Sequence, residues 1–167
     1  LERTFEELKI AAHTGVYFQD LTFEQALAKA KQQRKNIFID CYTSWCGPCQ
    51  YMAKKVFVKE KIGDFLNKNF ICVKYDMEKG EGPELGKRFG VRAYPTFVIM
   101  TPDGNIRHKI VGGGEEEQFI KRVEESFDNT KALGVSIAKY KEGNRDKAFL
   151  ASYAQTLLVL YDPSAKE

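Results

Sequence analysis

The chain has 167 residues, 43% of them hydrophobic and 29% charged, enough for one domain with a packed core and some length to spare. Lys and Arg number 26 against 23 Asp and Glu, and the resulting net charge of +3 is spread along the chain, which argues against a nucleic-acid face built from clustered basic residues. Four cysteines are too sparse for a disulfide-stapled mini-protein, and two histidines, His13 and His108, give poor support to a multi-histidine metal centre.

No stretch approaches the roughly eighteen apolar residues of a membrane span, the longest runs being of the kind Leu157-Leu158-Val159-Leu160-Tyr161. The chain begins at Leu1 without a charged-then-apolar leader, which fits either a mature form after signal removal or a piece of a longer protein.

In chain order, Leu1, Phe5, Leu8 and Ala12 have helical period but read as a short, uncapped helix. Val16-Tyr17-Phe18 reads as a short apolar strand after Gly15. Thr22-Phe23-Glu24-Gln25 has the form of a capping box. Behind it, Phe23, Ala26, Leu27 and Ala30 trace one face of an amphipathic helix. Asn36 to Tyr42 is β-rich and apolar on both faces, as a central buried strand requires. A helix follows Cys46 with Met52 and Val56 on its core face, then a second through Ile62, Phe65 and Leu66, then a strand over Phe70 to Tyr75.

Pro83 suits the first turn of a short helix through Leu85 and Phe89, where its missing N–H would be unpaired anyway. Thr96 to Met100 is predicted as a strand, Pro102-Asp103-Gly104-Asn105 as a turn, and Ile106 to Val111 as the antiparallel partner. Gly112-Gly113-Gly114 breaks it, Glu115-Glu116-Glu117 complements a helix dipole, and Phe119, Ile120, Val123 and Phe127 mark that helix. The order β-α-β-α-β-α-β-β-α predicts an α/β domain over residues 15–127, parallel in its first part and closed by a hairpin. Residues 1–14 read as a helical front segment. Residues 128–167 read as a helical hairpin extension, with one stripe of Leu133, Ile137 and Tyr140 and another of Leu150, Tyr153, Ala154, Leu157, Leu158 and Tyr161, stopped by Pro163.

The chemistry concentrates in Trp45-Cys46-Gly47-Pro48-Cys49. Two cysteines two residues apart, between a buried strand and a helix start, suit reversible disulfide exchange. Unpaired amides and the macrodipole favour an anion at the first position, which makes Cys46 the expected thiolate nucleophile. Cys49, one turn inside, can attack the resulting mixed disulfide. Gly47 allows the tight entry and Pro48 fixes φ between the two sulfurs. Half of a zinc site is the rival use of the pair, but the chain has no second closely spaced pair. Cys41 and Cys72, each in a strand-like run, read as buried filler.

These residues resemble thioredoxin, over roughly Val16 to Phe127. Phe38-Ile39-Asp40 is similar to the family's central strand with its buried acid, Trp45-Cys46-Gly47-Pro48-Cys49 to its active-site pentapeptide, Tyr94-Pro95-Thr96 to its cis-proline loop, and Val111-Gly112-Gly113 to the glycine turn before its last helix. The long front end and Tyr94 look more like the bacterial envelope members. The resemblance implies a thioredoxin fold, a mixed central sheet flanked by helices, in a protein-disulfide oxidoreductase. It makes Asp40 the acid that takes the proton of Cys49, and puts Tyr94 and Pro95 against the redox pair, where an extended partner could add as a strand. Thr96 completes that loop.

Trp45 would form an apolar ledge for partners beside Cys46. Where the family has a lysine near its acid, counting back from Asp76 reaches Cys72, with Lys74 two further on. No bound cofactor is implied, because the dithiol carries the electrons. The implied partners are protein disulfides and an upstream thiol reductant, in a periplasmic or other extracytoplasmic compartment with the cytoplasm as the alternative. A rival reading makes the domain a scaffold and the C-terminal helices a partner-binding adaptor.

Overall fold

A computed structural model describes residues 3–161 of the chain, with the side chain of Tyr161 outside the description, as are the expectations on Leu1 and Pro163. The elements are α1 (Phe5–Ala12), α2 (Phe23–Gln33), β1 (Asn36–Tyr42), α3 (Gly47–Tyr51), α4 (Glu60–Asn69), β2 (Phe70–Asp76), α5 (Gly82–Phe89), β3 (Thr96–Met100), β4 (Ile106–Val111), α6 (Glu116–Glu124), α7 (Leu133–Lys141) and α8 (Lys147–Tyr161). Helix α3 runs on into a π-helical turn, Met52–Val56, and α6 into a 3-10 turn, Glu125–Phe127.

The four strands stand in the order β2-β1-β3-β4. The β1–β2 pair is parallel, and the β1–β3 and β3–β4 pairs are antiparallel. This is a thioredoxin fold, with one parallel pairing rather than a parallel first part. The expected strand at Val16-Tyr17-Phe18 is absent from the sheet. Its backbone is used piecemeal: Val16 N–H donates to the Phe57 carbonyl, Gln19 N–H to the Cys72 carbonyl, and Tyr17 N–H to the Asn67 side chain, so no ladder forms. Gly15 φ is +87°, and a Cβ at Gly63 would lie 2.2 Å from the Gly15 carbonyl oxygen, so this segment crosses α4 at backbone contact.

Successive residues of a strand face opposite ways, and both faces of this sheet are covered. Phe38 faces a core with Phe57, Phe70, Phe97 and Phe119, under Met52, Val56, Ile62 and Leu66. Its ring stacks on Phe97 at 5.5 Å between centroids and meets Phe119 edge-on at 6.1 Å. Ile37, Ile39 and Cys41 face the other core, with Ala26 and Ala30 of α2 and Leu85 and Phe89 of α5. Alternation therefore puts Asp40 on the Phe38 face, the face covered by the helical segment that carries Cys49.

Both front helices are capped. Thr22 and Gln25 exchange the two bonds of a capping box, and Thr4 and Glu7 do the same for α1, which corrects the expectation of an uncapped first helix. The signal was present in Thr4-Phe5-Glu6-Glu7, a hydroxyl followed three residues later by an acid.

The tail covers the open edge of the sheet. His108 Nδ1 on β4 accepts from Leu133 N–H at 3.1 Å, while Arg107 donates to the Ser126 carbonyl and the Asn129 side chain. A Cβ at Gly134 would lie 2.5 Å from the Ile106 carbonyl oxygen, so α7 approaches β4 at backbone distance. An edge strand covered in this way is closed to pairing with another chain. Tyr140 of α7 meets Tyr153 of α8 at 5.5 Å. The α8 stripe is narrower than expected: Leu150, Tyr153 and Leu157 are half-buried, but Ala154 and Leu158 are exposed. Instead α8 turns Ser152, Gln155 and Thr156 toward β4 and α6, across a cleft of about 340 Å³.

Candidate active site

Strand β1 ends at Tyr42 and the chain turns through Thr43 to Trp45, with Cys46 N–H donating to the Thr43 carbonyl and the Gln50 side chain to the Ser44 carbonyl. Cys46 is the N-cap of α3, and its Sγ accepts from Cys49 N–H at 3.2 Å. A sulfur in this position is stabilised as an anion by the helix amides it caps. Gly47 and Pro48 form the first helical positions and are exposed, while Cys46 and Cys49 are almost covered. The two cysteines are joined as a disulfide, with 5.2 Å between their Cα atoms.

The predicted loop of Tyr94, Pro95 and Thr96 reaches Trp45, the residue before Cys46, through the Tyr94 ring. Tyr94–Pro95 is a cis peptide, and the Tyr94 ring stands edge-on to Trp45 at 5.9 Å. Pro95 is buried, and Thr96 starts β3 opposite Cys41 with its hydroxyl donating to the Ala93 carbonyl at 2.7 Å. Trp45 is 65% exposed, a large apolar side chain open to solvent beside Cys46.

Asp40 lies six residues before Cys46 and is buried, with no hydrogen-bond partner for its Oδ1. Burial pushes its carboxyl up to about 7, against the pull of the Lys74 ammonium. A carboxyl that titrates there can exchange a proton near neutral pH. Lys74 is the direct register partner of Asp40 across the β1–β2 pair. Counting back from Asp76 pointed to Cys72 for this position. The register gives it to Lys74, and Cys72 instead faces the aromatic core. Cys41 and Cys72 are both buried free thiols, and burial drives their pKa values well above the ordinary cysteine range.

Sequence reasoning missed Glu78, whose carboxylate accepts from Trp45 Nε1 at 2.9 Å and sets the indole's orientation. Nothing in the spacing marks a residue 33 positions away. Sequence alone reads Tyr51 simply as a core or flank residue, whereas its hydroxyl donates to Glu115 at 2.6 Å and ties the cysteine helix to the start of α6. Among the described residues there is no cluster of three or more His, Cys, Asp or Glu side chains able to hold a metal ion, and no helix long and apolar enough to cross a membrane.

Comparison with known proteins agrees with this geometry. A family model described as thioredoxin-like matches residues 18–102. The chloroplastic thioredoxin Y of Oryza sativa subsp. japonica is 33% identical over 111 residues, 66% of this chain and 60% of that protein, so the chain spans under two thirds of this relative's length. A candidate disulphide-isomerase from Bacteroides thetaiotaomicron, solved in solution, is 39% identical with a TM-score of 0.64, covering 70% of this chain and 96% of its own. A thioredoxin from Thermus thermophilus shares the fold at a TM-score of 0.62 and 20% identity, over 80% of this chain and 99% of its own. With its sulfur pair at a helix start and its acid buried in the adjoining strand, the chain belongs to the thioredoxin-like family.

Proposed function

We propose that the chain is a thiol–disulfide oxidoreductase that reduces disulfides in protein partners. The observation that carries this reading is the Cys46–Cys49 pair, closed as a disulfide at the start of α3 with Cys46 Sγ accepting a helix amide. In the reduced protein Cys46 is the thiolate. It attacks one sulfur of a partner disulfide, forming a mixed disulfide and releasing the partner's other sulfur as a thiolate. Cys49 then gives its proton to the Asp40 carboxylate and attacks Cys46 Sγ. The mixed bond breaks, and the partner leaves with both sulfurs reduced while Cys46–Cys49 takes the disulfide. An upstream thiol reductant reverses that last state.

The nine residues divide by role in this reading. Cys46, Cys49 and Asp40 carry the exchange. Trp45, Gly47 and Pro48 on one side and Tyr94 on the other form the surface on which an extended partner segment lies, with the buried Pro95 and Thr96 holding the Tyr94 backbone in place. Residues 15–127 are the working domain, between a helical front and a tail that starts at about residue 128. We place its action in an extracytoplasmic compartment, on the strength of the front segment and Tyr94.

The equilibrium potential of the Cys46–Cys49 pair against glutathione tests the direction. A value near thioredoxin's, about −270 mV, supports the reductant, and one near about −120 mV makes the chain an oxidant instead. The adaptor reading draws on the exposed Leu158 and Val159 of α8. It predicts that cellular function survives Cys46→Ser.

A further inference from the structure

Three glycines in a row, Gly112 to Gly114, follow β4 and adjoin the Tyr94–Pro95 loop, and glycine loses more freedom on ordering than any other residue. The run is nevertheless held on two sides. Gly112, at φ +86°, donates its N–H to the Pro95 carbonyl at 2.8 Å. Gly114 N–H points at Met52 Sδ at 3.5 Å, and Met52 lies three residues beyond Cys49 in the same helical segment. The glycine run thus bridges the Tyr94–Pro95 loop and the Cys49 helix.

Its carbonyls converge on one side chain. Arg122, half-buried on α6, donates from Nη1 to the carbonyls of Gly112 at 3.2 Å and Gly113 at 3.0 Å, and from Nη2 to that of Val111. A guanidinium presents its donors in a fixed planar fork, which a lysine ammonium does not. Three successive carbonyls, of Val111 and the two glycines after it, are therefore fixed by one rigid group.

We propose that Arg122 is a positioning residue for disulfide exchange with proteins: it fixes the Val111–Gly113 backbone as the rim against which an extended partner segment docks. The inference rests on the reading of the chain as an oxidoreductase of protein disulfides, and assigns a residue of α6 to partner binding. None of these three Arg122 bonds reaches Cys46 or Cys49. A small disulfide reacts at Cys46 without the rim, whereas a protein partner needs the rim in one geometry. Losing Arg122 thus separates the two substrates.

The test uses the full chain in two assays: insulin as the protein disulfide with dithiothreitol as recycling reductant, and, for the small disulfide, the single-turnover reaction of the pre-reduced chain, freed of dithiothreitol, with 5,5′-dithiobis(2-nitrobenzoate). Arg122→Met raises KM for insulin roughly tenfold, the cost of re-ordering about one residue of backbone on binding. Its kcat with insulin and its rate with the small disulfide stay at the wild-type level. Arg122→Lys falls between, and hydrogen exchange at Gly112 to Gly114 quickens in both variants. Gly114 has no positive φ, and a Cβ there would sit 3.7 Å or more from its neighbours. Gly114→Ala added to Arg122→Met therefore recovers part of the lost KM by stiffening the run.

An unchanged insulin KM, or a parallel fall with both substrates, overturns the inference. So does unaltered exchange at the glycine amides. A wild-type chain inactive on both substrates overturns the proposed function and this inference together, while an active wild type with an unaffected variant overturns the inference alone.

Discussion

Asp40 and Lys74 face each other directly across the parallel β1–β2 pair, an acid buried in the sheet beside an ammonium at its margin. The Lys74 ammonium also lies over the Phe18 ring at 5.4 Å. Burial raises the Asp40 carboxyl to about 7, and Lys74 holds it from rising further. Lys74→Met removes that restraint. The acid limb of the pH–rate profile for insulin reduction then moves to higher pH, by less than a tenfold change in proton concentration because Lys74 is exposed. A limb that stays in place would separate Asp40 from the rate.

Two buried groups give the folding stability opposing pH slopes. The folded Asp40 carboxyl titrates near 7 rather than 3.8, so between those values the unfolded chain ionises first and stability falls as pH rises. The folded His108 imidazole is lowered from 6.5 to about 4 by burial and by Arg107 and Arg122, with the Glu125 carboxylate 3.7 Å from its Nε2. Between those values the unfolded chain takes up the proton first, and stability falls as pH falls. The two effects oppose each other from about pH 4 to 6.5, each on the order of 3 kcal/mol across its window. Denaturant unfolding of Asp40→Asn should therefore show stability rising with pH relative to the wild type. His108→Gln, which keeps an acceptor for Leu133 N–H, should show it falling. Matching pH slopes in all three proteins would contradict both assignments.

The closure of α7 over β4 depends on a missing side chain. At Gly134 a Cβ would lie 2.5 Å from the Ile106 carbonyl oxygen, and 3.0 Å from that of Arg107. Gly134→Ala is expected to destabilise by about 1–3 kcal/mol as the helix is pushed from the strand edge. Gly86, inside α5, meets only Met77 Sδ at 3.4 Å, so Gly86→Ala is expected to stabilise by about 0.5–1 kcal/mol through helix propensity. Thermal unfolding of the two variants checks the contrast, and equal shifts of the same sign would contradict it.

The elements with strong local signals were legible in the sequence. Asn36–Tyr42 forms the strand its apolar run predicts, and Thr22 with Gln25 forms the capping box its spacing predicts. The cysteine pair, the place of Cys46 at the start of α3 and the burial of Asp40 were readable for the same reason: each follows from neighbours within one turn or one strand. What was not readable depends on register and approach. Val16-Tyr17-Phe18 has strand composition, but Asn67 and Phe57 take its backbone groups and leave no ladder. The place of Lys74 is fixed by which residue pairs with Asp40, a quantity no spacing along one strand contains. Glu78 and Arg122 act on Trp45 and on the glycine run across the fold, through bonds that exist only once the chain is packed.

The central claim is that Cys46 attacks partner disulfides and Cys49 resolves the product. Trapping with insulin tests it most directly. In Cys49→Ser the first step proceeds and the second cannot, so a covalent complex with insulin through Cys46 accumulates and is released by dithiothreitol. Cys46→Ser forms no such complex and reduces no insulin. Insulin reduction that survives Cys46→Ser, or a complex trapped through Cys49 instead, would contradict the account.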